Sequence, residues 1–182
     1  MDVSAHTSDA ATRPAAPFDM TAARALWEEY AAAHPDVVAE HPEWEVDRFA
    51  DTADYATEIA EWIETRHKRA TSDLVDTFLQ RGVPLPRVGA HWVVCDGDGK
   101  PRYVLRTLGL RLGTIWTADE SFAAAEGDGT LDEWRDVHRG YWTRVCASRG
   151  EVFTDATPVV LERFEVVWPP DAADHDEPQD RS

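Results

Sequence analysis

Cysteine and lysine are both scarce in this chain, with two of each. With two cysteines in 182 residues, Cys95 and Cys146, neither a disulfide framework nor a four-cysteine zinc site can form. No run approaches the roughly 18 consecutive apolar residues that a membrane helix needs. The N-terminal MDVSAHTSDAATRPAAP lacks both a basic and an apolar export region, so a cytoplasmic protein with no membrane partner is expected. There is no G-x-S-x-G, no P-loop, no G-x-G-x-x-G and no H-E-x-x-H, and the seven histidines are scattered. Neither a metal nor a cofactor is expected.

Positive charge is also short: 18 Lys and Arg against 35 Asp and Glu leave a formal charge of -17. Most of the excess lies at the ends, since residues 1–45 carry nine acids and two bases and residues 171–182 five and one. An acidic chain repels a phosphate backbone, which disfavours long double-stranded nucleic acid. A nucleoside escapes that objection. The remaining composition, 43% hydrophobic with eight tryptophans, supports a packed core of one domain.

Residues 1–16 and 170–182 contain no periodic apolar pattern and are expected to be disordered. Between them, Asp19 is a plausible cap for a helix reaching about Ala33, with Leu26 and Tyr30 on one face and His34-Pro35 ending it. A polar connection follows. A second helix starts after Thr52 on the stripe Tyr55, Ile59, Trp62 and Ile63, and runs into Arg66-His67-Lys68-Arg69. Ser72 is read as the cap of a third helix carrying Leu74, Val75, Phe78 and Leu79, ended by Gly82. From His91 the period changes to two: HWVVCD, a Gly97-Asp98-Gly99 turn and RYVLRTLGLRL form a hairpin, with GTIW as a further β segment. Residues 118–126 read as a short helix. Thr130 and Glu133 make a capping box for a helix to about Ser148, and PVVLERFEVVW reads as a central strand. The order implies α+β with a mixed or antiparallel sheet curled into a small barrel, surrounded by helices.

Lysine occurs twice, at 68 and 100, against sixteen arginines. A chain that uses Arg for generic charge keeps Lys where a removable proton is useful. Thr71 lies three residues after Lys68, so the pair suits an activated hydroxyl nucleophile, or equally a solvated lysine beside an ordinary threonine.

A longer series of motifs surrounds that pair. Phe49-Ala50-Asp51, H-K-R-A-T at 67–71, Val88-Gly89, the VVCDGDGKPRYVLRT hairpin, A-D-E-x-F-A-A-A-E-G at 118–127, Trp134 with His138, and V-x-E-R-F-E-V-V occur in order. Over about residues 20–169 they resemble the ASCH domain family, in a larger branch with an extra N-terminal helix. The resemblance implies a PUA-like, curled, mostly antiparallel β-barrel surrounded by helices, spanning 17–169, and a nucleoside or short RNA as partner. Some bacterial members resemble amidohydrolases that deacetylate N4-acetylcytidine; their K-x-x-T and glutamate fall here on Lys68, Thr71 and Glu126. In that scheme Thr71 attacks, Lys68 takes its proton and Glu126 orients the lysine or shuttles a proton; Lys68 and Glu126 activating water is the alternative. Glu120 competes with Glu126 for the acidic role. A non-catalytic RNA-binding module and a ribonuclease are the rival functions. Ligand contacts are expected from Arg69, from Arg106 toward a phosphate, and from Trp134 and His138 toward a base. Those aromatics share a helix face with Tyr141 and Trp142, which suits core packing equally. Arg66 and Ala90 stand where many relatives have Gly and Asp.

Overall fold

The computed structural model describes residues 13–50 and 52–174. Asp51 and the outer parts of both expected disordered ends lie outside the described residues. The inner parts are attached to the body. Arg13 accepts from the Ala53 N–H and the Ala16 N–H reaches Gly97, while at the other end Asp174 holds Arg69 and the Val166 N–H. The ordered chain therefore starts before residue 17 and continues past 169.

Where local signals are strong, the elements form as the sequence predicts. The Asp19 carboxylate accepts from Ala22 N–H to start α1 (Met20–Ala33), which buries Ala23, Trp27 and Tyr30. Leu26 sits at the margin of that stripe. In the connection expected to be irregular lie α2 (Pro35–Glu40) and β1 (Trp44–Asp47). Neither carries a periodic pattern: α2 buries nothing, and β1 exists by pairing in parallel with β3 (His91–Cys95). Helix α3 (Ala53–Glu64) buries Ile59 and Ile63 over three alanines and leaves Tyr55 exposed at a cleft.

The stretch read as a helix cap at Ser72 is instead a strand, β2 (Ala70–Leu74), and helix α4 (Val75–Arg81) follows it. Pairing with β5 (Val159–Trp168) satisfies five residues of backbone and overrides the cap signal. Gly82 closes α4 in the left-handed region, and Leu79, expected inside, is 68% exposed. Strand β3 pairs with β4 (Pro101–Gly113) through a turn held by Asp96, whose carboxylate accepts from Asp98 and Lys100. The expected β segment GTIW is a 3-10 turn capped by Thr114. Helices α5 (Glu120–Glu126) and α6 (Leu131–Ser148) complete the list, the latter with its capping box made.

The sheet order is β1-β3-β4-β5-β2, antiparallel except for β1 with β3. Register shifts along β4 add twist and curl the sheet into a half-barrel with β1 and β2 as edges. Strand β5 separates two environments. Val159 and Leu161 pack with Trp134 and Trp142 of α6, whereas Phe164 packs with Ile59 and Ile63 of α3. Glu162 shares the parity of Phe164.

Arg66 holds φ of 60°, the left-handed conformation that a glycine at this position would adopt without cost. Its guanidinium gives little back, being 58% exposed and 3.6 Å from Asp174. Arg66→Gly is expected to raise stability by about 0.5–1 kcal/mol, a few degrees in Tm by thermal denaturation. An unchanged or lower Tm would show that the Arg66 contact outweighs the backbone strain.

Candidate functional site

A cleft of about 1060 Å³ runs across the concave side of the half-barrel, and Lys68, Thr71 and Glu126 all line it. Lys68 sits in the bend between α3 and β2, where its backbone is pinned by Trp62 O and its side chain is 5% exposed. Its ammonium lies 3.6 Å from Glu126 Oε1, donates to the Glu126 carbonyl at 3.2 Å, and stands 5.4 Å from the Phe49 ring centre. Glu126 ends α5, and Gly127 closes the helix with φ of 95°. Glu120 is exposed at the start of the same helix and plays no part.

Four groups hold the Glu126 carboxylate. Besides Lys68, Ser72 Oγ donates at 3.2 and 3.1 Å, Trp134 Nε1 donates at 2.7 Å, and His138 Nε2 stands 3.4 Å away. Burial alone would push this carboxyl up, but the Lys68 charge, then His138, then Trp134 outweigh it and hold it at about 2. His138 is fixed from both sides. Its Nδ1 faces the Trp134 carbonyl at 2.9 Å while Nε2 faces Glu126, so each nitrogen meets an acceptor and the surroundings favour the doubly protonated ring. Burial opposes that charge, and the Glu126 bond and charge overcome it, raising the His138 pKa.

Ser72 takes the bond to Glu126 that Thr71 does not, because successive side chains of β2 point to opposite faces. The Thr71 hydroxyl has no hydrogen bond among the described residues, and its cross-strand partner is Glu162.

Three of the expected ligand contacts are corrected by their surroundings. Arg69 turns away from the cleft and grips Asp174 at 2.6 and 2.8 Å, stapling the end of the described chain to the body. Arg106 is matched across the sheet by Glu165 at 2.7 Å and does not line the cleft. Trp134 is fully buried; it stacks on His138 at 4.3 Å and packs in the core, so its face is closed to a base. His138 does line the cleft, as does Tyr141 one turn on, half exposed.

Two further carboxyls of this cleft stand out, neither marked by the sequence. Asp128, between Gly127 and Gly129 with φ of 95° and 89°, has its pKa raised by burial against the opposing pull of Lys68. Its carboxylate, that of Glu126 and the His138 ring offer ligand atoms within 4.8 Å of one another, the one such trio among the described residues. The Lys68 ammonium already occupies the cation position at Glu126, and the donor set does not fit a metal while that pair stands. The second carboxyl is Glu162, 7% exposed, accepting from Thr107 Oγ1 at 2.5 Å. Burial pushes it up to about 7, Thr107 pulls it down and Glu45 adds to the rise; no Lys or Arg pairs with it among the described residues. A glutamate interrupting an apolar run in a strand read as central was the available signal.

No described helix is long and apolar enough to cross a membrane. A search of curated proteins found no match. Among solved structures, the chain is similar to an ASCH domain from Lactobacillus crispatus, with 29% identity and a TM-score of 0.74 over 82% of this chain and 96% of that one. A protein from Enterococcus faecalis is 25% identical with a TM-score of 0.70, over 81% and 89% of the two chains. These matches carry the same α+β, PUA-like architecture of helices around a curled sheet. The model of the ASCH domain matches residues 45–168, more than half of the sequence, from β1 through the end of β5, and the chain belongs to the ASCH domain family.

Proposed function

We propose that this cleft binds an N4-acylated cytidine, free or in a short RNA, and hydrolyses its amide. The observation that carries the reading is a buried ammonium, Lys68, fixed by Glu126 in the wall of a cleft that the unengaged hydroxyl of Thr71 also lines. The volume lies just above the roughly 300–1,000 Å³ range of small-molecule sites, enough for a nucleoside and part of a short RNA. Six carboxylates and five Lys or Arg side chains line it, and Arg81 is paired with Asp47 and Arg149 with Asp76. Such walls suit a neutral base and acyl group better than a run of phosphates.

In this reading Thr71 attacks the acyl carbon, and the Lys68 ammonium stabilises the negative charge that develops on the carbonyl oxygen. Lys68 is held by a carboxylate and serves as the electrostatic partner, not as the base of Thr71. Glu126, Ser72 and His138 position it. The acyl group passes to Thr71 Oγ1 as the C–N bond breaks, and water releases it as a carboxylic acid.

Incubation with N4-acetylcytidine and with a short RNA containing it, followed by chromatography, should release cytidine and acetate. Thr71→Ala should cut the rate by at least about 100-fold with affinity little changed, because that hydroxyl supports nothing else in the fold. Tight binding with no cytidine released would overturn hydrolysis in favour of a recognition module.

A further inference from the structure

The proposed reaction leaves one proton unassigned. When the Thr71 oxygen bonds to the acyl carbon, its hydroxyl proton needs an acceptor, and Lys68 and His138 already carry theirs in bonds to Glu126. The two oxygens of Glu126 are held by four neighbours and the carboxyl is kept strongly ionised, which makes it a poor base.

We infer that Glu162 is that acceptor: a buried carboxyl lining the same cleft, whose cross-strand partner is Thr71 and whose other oxygen is left free by its single bond to Thr107. This assignment rests on the hydrolytic reading above. Directly opposed residues in an antiparallel pair share a face, with Cβ atoms about 4.5–5.5 Å apart, so Thr71 and Glu162 project together. A χ1 rotation of Thr71, or one water, spans the remaining gap. Distance to the ammonium is also bounded. Lys68 lies 5.4 Å from the Phe49 ring, and Phe49 lies 5.0 Å from Trp92 and 5.8 Å from Phe164, the next residue of the Glu162 face on β5. Phe49 and Trp92 line the cleft, and an acyl-cytosine laid on them lies between the two walls.

The surroundings of Glu162 suit a base that cycles its proton. The carboxyls beside it are Glu45 from β1 and Asp73, which shares the Thr71 face of β2; Arg81 of α4 acts on both of these while paired with Asp47, Arg149 at the end of α6 acts on Asp73 while paired with Asp76, and β4 presents Thr107 and Leu110. Among the described residues no Lys or Arg is paired with it, and burial brings its pKa to about 7, where a general base works best near neutral pH.

The steps balance. The Thr71 O–H bond breaks, its oxygen bonds to the acyl carbon, the carbonyl electron pair moves onto oxygen beside Lys68, and the proton goes to Glu162. The C–N bond then breaks as Glu162 returns the proton to the N4 nitrogen. In the second half Glu162 takes a proton from water as its oxygen attacks the acyl-threonine, and returns it to the departing Thr71 oxygen.

The test compares wild type, Glu162→Gln, Glu162→Asp and Thr71→Ala on N4-acetylcytidine across pH 5–9, with affinity measured by calorimetry. Glu162→Gln should lose about 10²–10⁴ in rate with affinity within about threefold, and the rise of the wild-type rate through about pH 7 should disappear. Glu162→Asp should recover part of the rate. A merely structural glutamate would not move the pH profile. If Glu162→Gln keeps the wild-type rate and profile while Thr71→Ala is inactive, the acceptor assignment is wrong and the hydrolytic reading survives. If wild type itself releases no cytidine, both fall.

Discussion

Lys68→Met is expected to destabilise the fold by about 3–5 kcal/mol, because it strands the Glu126 carboxylate in a site only 3% exposed. For a chain of this length that corresponds to a fall in Tm of roughly 6–20 °C. Ser72 and Trp134 continue to donate to Glu126, but hydrogen bonds do not replace a charge. Adding Glu126→Gln should recover most of the loss, since removing both partners of a buried pair is often close to neutral. The sign of the pH dependence follows from the carboxyl. Glu126 is lowered from 4.5 to about 2, so its stabilising contribution is complete above pH 4.5 and lost as pH falls through about 2. His138 is raised, so its share is present below pH 6.5 and lost as pH climbs through its folded value. The cost of Lys68→Met should therefore shrink below pH 4.5. Equal stability of the single variant and wild type at pH 6, or no recovery in the double variant, would refute the buried-pair account.

Glu162→Gln should do the opposite and stabilise the protein by about 3 kcal/mol at pH 8. The unfolded carboxyl ionises near 4.5, whereas the folded one keeps its proton to about 7. Ionisation is thus disfavoured in the folded state, and stability declines as pH rises from 4.5 to 7, then stays low. Glutamine has no charge to desolvate and can still accept from Thr107. Urea denaturation at pH 4.5 and pH 8 measures this directly: the two proteins should be nearly alike at the lower value and separated at the higher. A variant less stable than wild type at pH 8 would mean that Glu162 holds the fold together. A stabilised but inactive variant is the pattern of a residue retained for chemistry against its cost to stability.

Both predictions concern buried carboxyls of the cleft, Glu126 from the end of α5 and Glu162 from β5, and the two differ in how visible they are in the sequence. Glu126 could be found because a helix-ending E-G follows an apolar stretch in a motif with a family resemblance. Glu162 stood within a quoted motif without a role, because its meaning depends on Thr71 across the strand pair. Ser72 was misread for a related reason. Ser followed by Asp and Leu is a good local cap, and only the partner strand β5, some 90 residues on, makes it part of a sheet.

Local chemistry was enough for α1, α3 and α6 and for the β3–β4 hairpin, whose caps, stripes and turn residues act within a few positions of one another. The scarcity of lysine and the spacing of K-x-x-T mark Lys68 and Thr71 in the sequence alone. The aromatic stripe on α6 left two readings open, and packing chose between them: Trp134 is sealed in the core as a donor to Glu126, while His138 and Tyr141 reach the cleft. Arginine charge was legible and its direction was not, since Arg69 and Arg106 are satisfied by Asp174 and Glu165, 105 and 59 residues away. Caps and periods are properties of neighbouring residues, so the sequence by itself determined them. Which buried carboxylate meets a cation and which is left to hold its proton is settled by strand pairing over long separations, and only the tertiary structure decided that.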